Sequence, residues 1–205
     1  MRLLTKSALA ASAALTLIAG GVVAQAALTK VPSEVRAGTY KLDSSHGKIT
    51  YKINHLGFST YIGQFANVEA TLTLDPANPS ASTLTATVPV SGHDNTSEGL
   101  KNHLASADFF DAAQFPNITF VATSVTVDPA DPTEADVVGN LTIKDVTRPV
   151  TLDVKFNQAG SMRGRYIVGF DGETTIKRSE FGMTYGLPAI GDEVELHIEG
   201  EFIAQ

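Results

Sequence analysis

The sequence predicts an all-β domain of antiparallel strands, and three observations carry the prediction. Apolar residues alternate with threonines and acids at period two over most of residues 40–204, which puts one face of each strand on a core and the other in water. Pro, Gly, Asp and Asn punctuate these runs, and about eight can be counted between Tyr40 and Ala204. The chain holds no cysteine, so disulfides cannot replace a packed core.

Taken in order, the first element is an export signal. Arg2 and Lys6 precede the weakly apolar run "ALAASAALTLIAGGVVA" (8–24), and Ala24-Gln25-Ala26 has the small-x-small pattern of a cleavage site. The run is too short and too diluted by Ser, Thr and Gly for a spanning helix, which needs about 20 apolar residues. Residues 1–26 are therefore expected to be removed, leaving a soluble protein exported to the periplasm. Residues 27–39 read as a lead-in and 40–205 as a single domain. Removing Arg2 and Lys6 leaves 13 basic against 22 acidic residues, a formal charge of −9. A surface so acidic is poorly suited to gripping nucleic acid or an anionic bilayer, so no nucleic acid and only transient membrane contact are expected.

The strands follow. "ATLTLD" (70–75) puts Leu72 and Leu74 on one face, and "STLTATVPV" (82–90) does the same with Leu84, Ala86, Val88 and Val90. "NITFVATSVTVD", "VVGNLTI" and "RPVTLDVKF" continue the pattern. In "DEVELHIEGEFIA" (192–204), Val194, Leu196, Ile198 and Phe202 oppose Glu193, Glu195, His197 and Glu199. The linkers "DPANPSAS" (75–82) and "DPADPTEAD" (128–136) read as hairpin loops, since Pro presets φ and Asp caps its own turn. Their likeness is turn chemistry and not a repeat, because the flanking strands differ.

Helical texture is confined to residues 96–114. Asn95-Thr96-Ser97-Glu98 resembles a capping box, and Leu100, Leu104 and Ala107 fall on one helical face. So many antiparallel strands in one domain must close into a barrel or stack as a sandwich, because open edges invite aggregation. A barrel of about eight strands is wide enough for one small ligand. The residues alone leave barrel and sandwich open.

Four ordered stretches carry a family resemblance: "LDSSHGKITYKINHLGFSTYIGQF" (42–65), "KNHLASADFFDAAQFPNITFVATSV" (101–125), "GNLTIKDVTRPVTLDV" (139–154) and "TIKRSEFGM" (175–183). Together they resemble the YceI-like family over essentially all of the chain after the signal. The resemblance implies an extended, lipocalin-like antiparallel β-barrel of about eight strands with a helical element beside it. It also implies an apolar cavity that takes a polyisoprenoid or similar amphiphile, in a periplasmic protein not associated with catalysis. The chain departs from the family pattern at three places. Lys101-Asn102 stands where an Arg-Asp pair is common, Gly47 follows His46 where Ser is usual, and Asp145 stands where Gly is preferred. Lys keeps the charge of Arg but lacks its planar fork.

Candidate chemistry is thin. His46, His55, His93, His103 and His197 show no H-x-H, H-x-x-x-H or H-E-x-x-H spacing, and thiolate ligands are absent, so no metal is expected. No nucleophile elbow or phosphate loop occurs, and no cofactor is expected. The apolar lining is assigned to Phe58, Tyr61, Phe65, Leu104, Phe109, Phe110 and Phe120, and rim or head-group contacts to Lys101, His103 and Arg178. The expected function is a non-catalytic carrier of a polyisoprenoid or isoprenoid quinone. The alternative is an enzyme acting on an apolar molecule through Lys101, His103 and Arg178, and it requires at least two of them to meet inside the cavity. A third reading, an interaction protein with a filled core, requires the aromatics to interdigitate fully. Oligomeric state stays open, a homodimer included.

A magnitude shapes the carrier reading. Burying a ~40-carbon chain from water would nominally gain ~30 kcal/mol at about 0.8 per methylene, beyond the practical ceiling of noncovalent binding. A chain drawn from a bilayer gains little, however, because lipid tails are already apolar. Containment and head-group contacts must therefore supply specificity.

Overall fold

A computed structural model describes residues 28–94 and 97–205; the signal segment expected at 1–26 lies outside the described residues. Eleven strands and one helix occur among them. The strands are β1 (Gly38–Leu42), β2 (Lys48–His55), β3 (Ser59–Phe65), β4 (Glu69–Leu74), β5 (Thr83–Pro89), β6 (His93–Asp94), β7 (Asn117–Val127), β8 (Glu134–Ile143), β9 (Val146–Met162), β10 (Arg165–Lys177) and β11 (Ile190–Ala204). The helix α1 spans Glu98–Ala105.

Eight strands close a ring in the order β1-β4-β5-β7-β8-β9-β10-β11, with β11 returning to β1, so the barrel expectation holds over the sandwich. Every pairing is antiparallel. Closure depends on β11 being shared. Its residues Phe202–Ala204 pair with β1, whereas Ile190–Glu199 pair with β2. A flap β2-β3-β6 thus branches from the barrel along the first part of β11. The three strands beyond eight are this flap. β9, β10 and β11 run 17, 13 and 15 residues, far beyond the usual five or six, and make the barrel tall.

Both Asp-Pro linkers form hairpin loops. Asp75 Oδ1 accepts from the Ala77 and Asn78 N–H at 3.1 Å, and Asp128 Oδ1 accepts from Ala130 N–H at 2.7 Å. Each carboxylate satisfies backbone donors that the turn leaves unpaired.

Period-two alternation points apolar side chains inward as expected: Leu72, Val88, Ile118, Leu141, Leu152, Ile176 and Phe202 are buried. Large side chains sit over small ones. The Phe120 ring lies on Gly139 of the neighbouring strand, where a Cβ would collide with it. Register shifts at Ala122/Ser124 and Gly169/Phe170 change which face points inward. Beyond the second shift, Phe156, Ala159 and Val168 pack with Tyr40, Leu72 and Phe202 as a second core cluster. The lead-in contributes Val35 to this cluster. It is pinned by reciprocal backbone bonds between Thr29 and Ala159 (2.7 and 2.9 Å) and by the Arg36 guanidinium 4.3 Å above the Tyr166 ring.

Helix α1 is shorter than the 96–114 insert, covering 98–105 only. Ser97 is its N-cap, with Oγ accepting from Leu100 N–H at 3.3 Å. No helix among the described residues is long and apolar enough to cross a membrane.

Candidate functional site

The barrel is hollow. A cavity of about 770 Å³ runs through it, within the ~300–1,000 Å³ of ordinary ligand pockets. The filled-core reading is overturned by this space: period-two residues from opposite strands face one another without meeting. One end is bordered by the lead-in at Pro32 and Ser33 and by the two hairpin loops, through Pro76, Pro79, Pro132 and Thr133. The other is bordered by α1, through Leu100 and Leu104, and by the β10–β11 connection, through Met183 and Tyr185. Between them the wall is aliphatic and aromatic, with Leu84, Leu152, Val154, Ile176, Leu196 and Ile198 among its residues.

Of the residues assigned from the sequence, Tyr61, Phe65, Leu104, Phe109, Phe110, Phe120, His103 and Arg178 lie on the wall. Phe65 meets Phe110 edge-to-face at 5.7 Å, which joins the flap to the segment after α1. Phe58 does not belong to the wall and is 90 % exposed. The β2–β3 turn passes through Leu56 (φ 58°) and Gly57 (φ 73°), and these left-handed residues throw Phe58 outward. Lys101 is also exposed and off the wall. On α1, Leu100 and Leu104 face the cavity one turn apart, so the residue a step after Leu100 is rotated about 100° away.

Arg178 is buried at 3 % exposure and its donors are committed to the backbone. Nε donates to Gly191 O (2.7 Å), Nη1 to Met183 O (2.8 Å) and Tyr185 O (2.9 Å), and Nη2 to Ile190 O (3.0 Å). Burial pulls its pKa down and Asp192 pushes it back up. Asp192 is held below the usual carboxylate range by hydrogen bonds from Ser179 Oγ and Ser179 N–H. Strand β10 gives way to a single 3₁₀ turn, Arg178–Phe181, ending on Gly182 at φ 74°.

His103 is tied at Nε2 to Asp108 Oδ2, 2.9 Å away, and packs edge-on to Phe109 (5.0 Å) and Tyr185 (4.8 Å). Lys101 lies off the wall, whereas His103 and Arg178 both border the cavity near Tyr185, their polar groups committed to Asp108 and to backbone carbonyls rather than to each other. His46 pairs with Asp43, and His197 lies between Glu173 and Glu199 on the outer face. Among the described residues no group of three or more His, Asp and Glu comes together as a metal site.

Sequence reasoning missed the wall's principal polar feature. Tyr51 of β2 lines the cavity, and its hydroxyl is 2.5 Å from Nε2 of His93 on β6. His93 is 4 % exposed, packs tilted against Tyr51 (5.5 Å) and edge-on to Phe65 (5.2 Å), and its Nδ1 has no hydrogen-bond partner among the described residues. Burial holds His93 below the ordinary imidazole value, with Asp94 opposing and Lys101 reinforcing the shift. Burial also pushes the Tyr51 hydroxyl well above the usual tyrosine range. Tyr51 lies flat over Gly63, where a Cβ would strike its ring and hydroxyl. The signal available was weak: an aromatic across from a glycine on paired strands.

Comparison with known proteins agrees with this architecture. The protein "Protein YceI" of Salmonella arizonae is 37 % identical over 172 residues, covering 82 % of this chain and 88 % of the relative. The crystal structure of Burkholderia cenocepacia BcnA superposes with a TM-score of 0.67 at 27 % identity, over 80 % of this chain and 99 % of that one. A polyisoprenoid binding domain from Saccharophagus degradans, implicated in plant cell wall breakdown, shares the fold with a TM-score of 0.62 at 10 % identity, over 83 % of this chain and all of that one. The family model for the YceI-like domain matches residues 40–202. With its closed barrel, its flap and its relatives, this chain belongs to the YceI-like family.

Proposed function

We propose that the protein is a periplasmic carrier that holds a long-chain amphiphile, such as a polyisoprenoid or isoprenoid quinone, in the barrel and performs no chemistry on it. The observation that carries this reading is the 770 Å³ apolar cavity reaching from the hairpin loops to α1. Its tall shape suits a chain better than a compact solute. The polyisoprenoid binding domain of the same fold supports the ligand class, and the export pattern of residues 1–26 supports the compartment. The enzyme alternative required two of Lys101, His103 and Arg178 to meet inside the cavity, and their placement speaks against it. Contact with a membrane is transient in this reading, limited to loading and release. The test is to purify the exported protein from its native periplasm and extract what it carries, with native mass spectrometry of the intact complex. A long-chain lipid at one per barrel is the expected result. A barrel that arrives empty, and that takes up no added prenyl lipid, would sink the proposal.

A further inference from the structure

The cavity wall is mostly apolar, and among its polar side chains one is held in place by a buried partner. An anionic head is disfavoured. Asp75, Asp171 and Glu199 border the cavity, against Lys48 and an Arg178 whose donors are already on four backbone carbonyls. That side chain is Tyr51, whose hydroxyl contacts the buried His93.

The orphaned Nδ1 of His93 fixes the direction of that contact. Of the two neutral tautomers, one places a proton on Nδ1 and leaves a buried N–H donor unsatisfied. The other places the proton on Nε2, which then donates to Tyr51 Oη and leaves Nδ1 as a bare lone pair. Orphaned buried donors are rarer than under-satisfied acceptors, so the second tautomer is favoured. With its oxygen accepting from His93, Tyr51 keeps its own hydroxyl proton free to donate. Tyr51, with Tyr61 and Phe65 beside it at 6.2 and 5.8 Å between ring centroids, forms an aromatic recess on the cavity wall.

We propose that Tyr51, oriented by His93, donates a hydrogen bond to an uncharged oxygen acceptor, a quinone-type carbonyl, at the head of the apolar ligand. The inference rests on the cavity being a ligand site, and the experiment separates the two. Titration calorimetry would compare decylbenzoquinone, decylbenzene and decyl phosphate on the full mature chain. The expected result is that the quinone binds about fivefold more tightly than decylbenzene, the worth of one net hydrogen bond, with decyl phosphate weakest. Tyr51→Phe should abolish that preference, and a far-ultraviolet circular dichroism spectrum matching the wild type shows that the variant is folded. Equal binding of quinone and decylbenzene, an unchanged preference in Tyr51→Phe, or tightest binding of the phosphate would each overturn the anchor while leaving the carrier reading intact. If none of the three probes binds, both fall. Independently of any variant, long-range ¹H–¹⁵N correlation on the wild-type protein should show His93 neutral and protonated at Nε2. A proton on Nδ1 would overturn the assignment of Tyr51 as donor.

Discussion

Arg178 donates through Nε to the Gly191 carbonyl at 2.7 Å, tying the end of β10 to the start of β11. Its other nitrogens hold the carbonyls of Met183, Tyr185 and Ile190, so one side chain gathers the whole connection between the two strands. Each of these bonds is charge-assisted and at least partly buried, which makes it stronger than a neutral pair. Arg178→Met should lower unfolding free energy by about 3–5 kcal/mol, because four carbonyls lose a charged donor together. Arg178→Lys should rescue little, since an ammonium cannot span carbonyls that a planar fork reaches. Urea titration monitored by tyrosine fluorescence reads both. A loss below about 1 kcal/mol in Arg178→Met would show that the fork is dispensable.

His93 makes stability depend on acid. Its native pKa is pushed below the ordinary 6.5 by burial, so between the two values the unfolded chain binds a proton that the native one refuses. More protons on the unfolded state means stability rises with pH through that window and levels off above about 6.5. On acidification below 6.5 the barrel should therefore lose stability. His93→Phe should flatten this part of the curve, and urea midpoints at pH 5 and pH 7.5 measure the difference. An identical pH dependence in the variant would assign the effect to other groups.

Val154 offers a way to close the cavity without disturbing the site at Tyr51. It lines the wall opposite small cross-strand partners, Ala135 on β8 and Gly172 on β10. Val154→Phe should occupy part of the free volume and weaken long-chain binding by about tenfold or more, with stability changed by only about 1 kcal/mol because the added ring enters a void. Wild-type affinity for decylbenzene in this variant would argue that the chain lies elsewhere.

Phe58, in contrast, should be replaceable. At 90 % exposure in the β2–β3 turn it buries little surface, so Phe58→Ser should shift stability by no more than about 0.5 kcal/mol. Decylbenzene affinity should match the wild type within error. A clear loss of binding would return Phe58 to the ligand path.

The strands and their inward faces could be read directly from residue order, because period two is a local property of extended backbone. Leu72, Leu84, Leu152, Leu196 and Ile198 all line the cavity, as their alternation indicates. The hairpin loops at Asp75 and Asp128 were legible for the same reason: a carboxylate two residues before an amide caps its own turn. What local order could not decide was everything requiring a second strand. Whether the inward residues interdigitate or leave a space depends on barrel closure through β11, whose divided pairing with β1 and β2 spans residues far apart in the chain. Phe58 and Phe65 belong to one aromatic-rich motif, yet a pair of left-handed residues sends one to solvent while strand register buries the other. His93 and Tyr51 lie 42 positions apart and acquire their meaning only when β3 brings β6 alongside β2. Burial then strips water from an imidazole that in sequence looked like any of five, and turns it into the support for a tyrosine hydroxyl on the cavity wall.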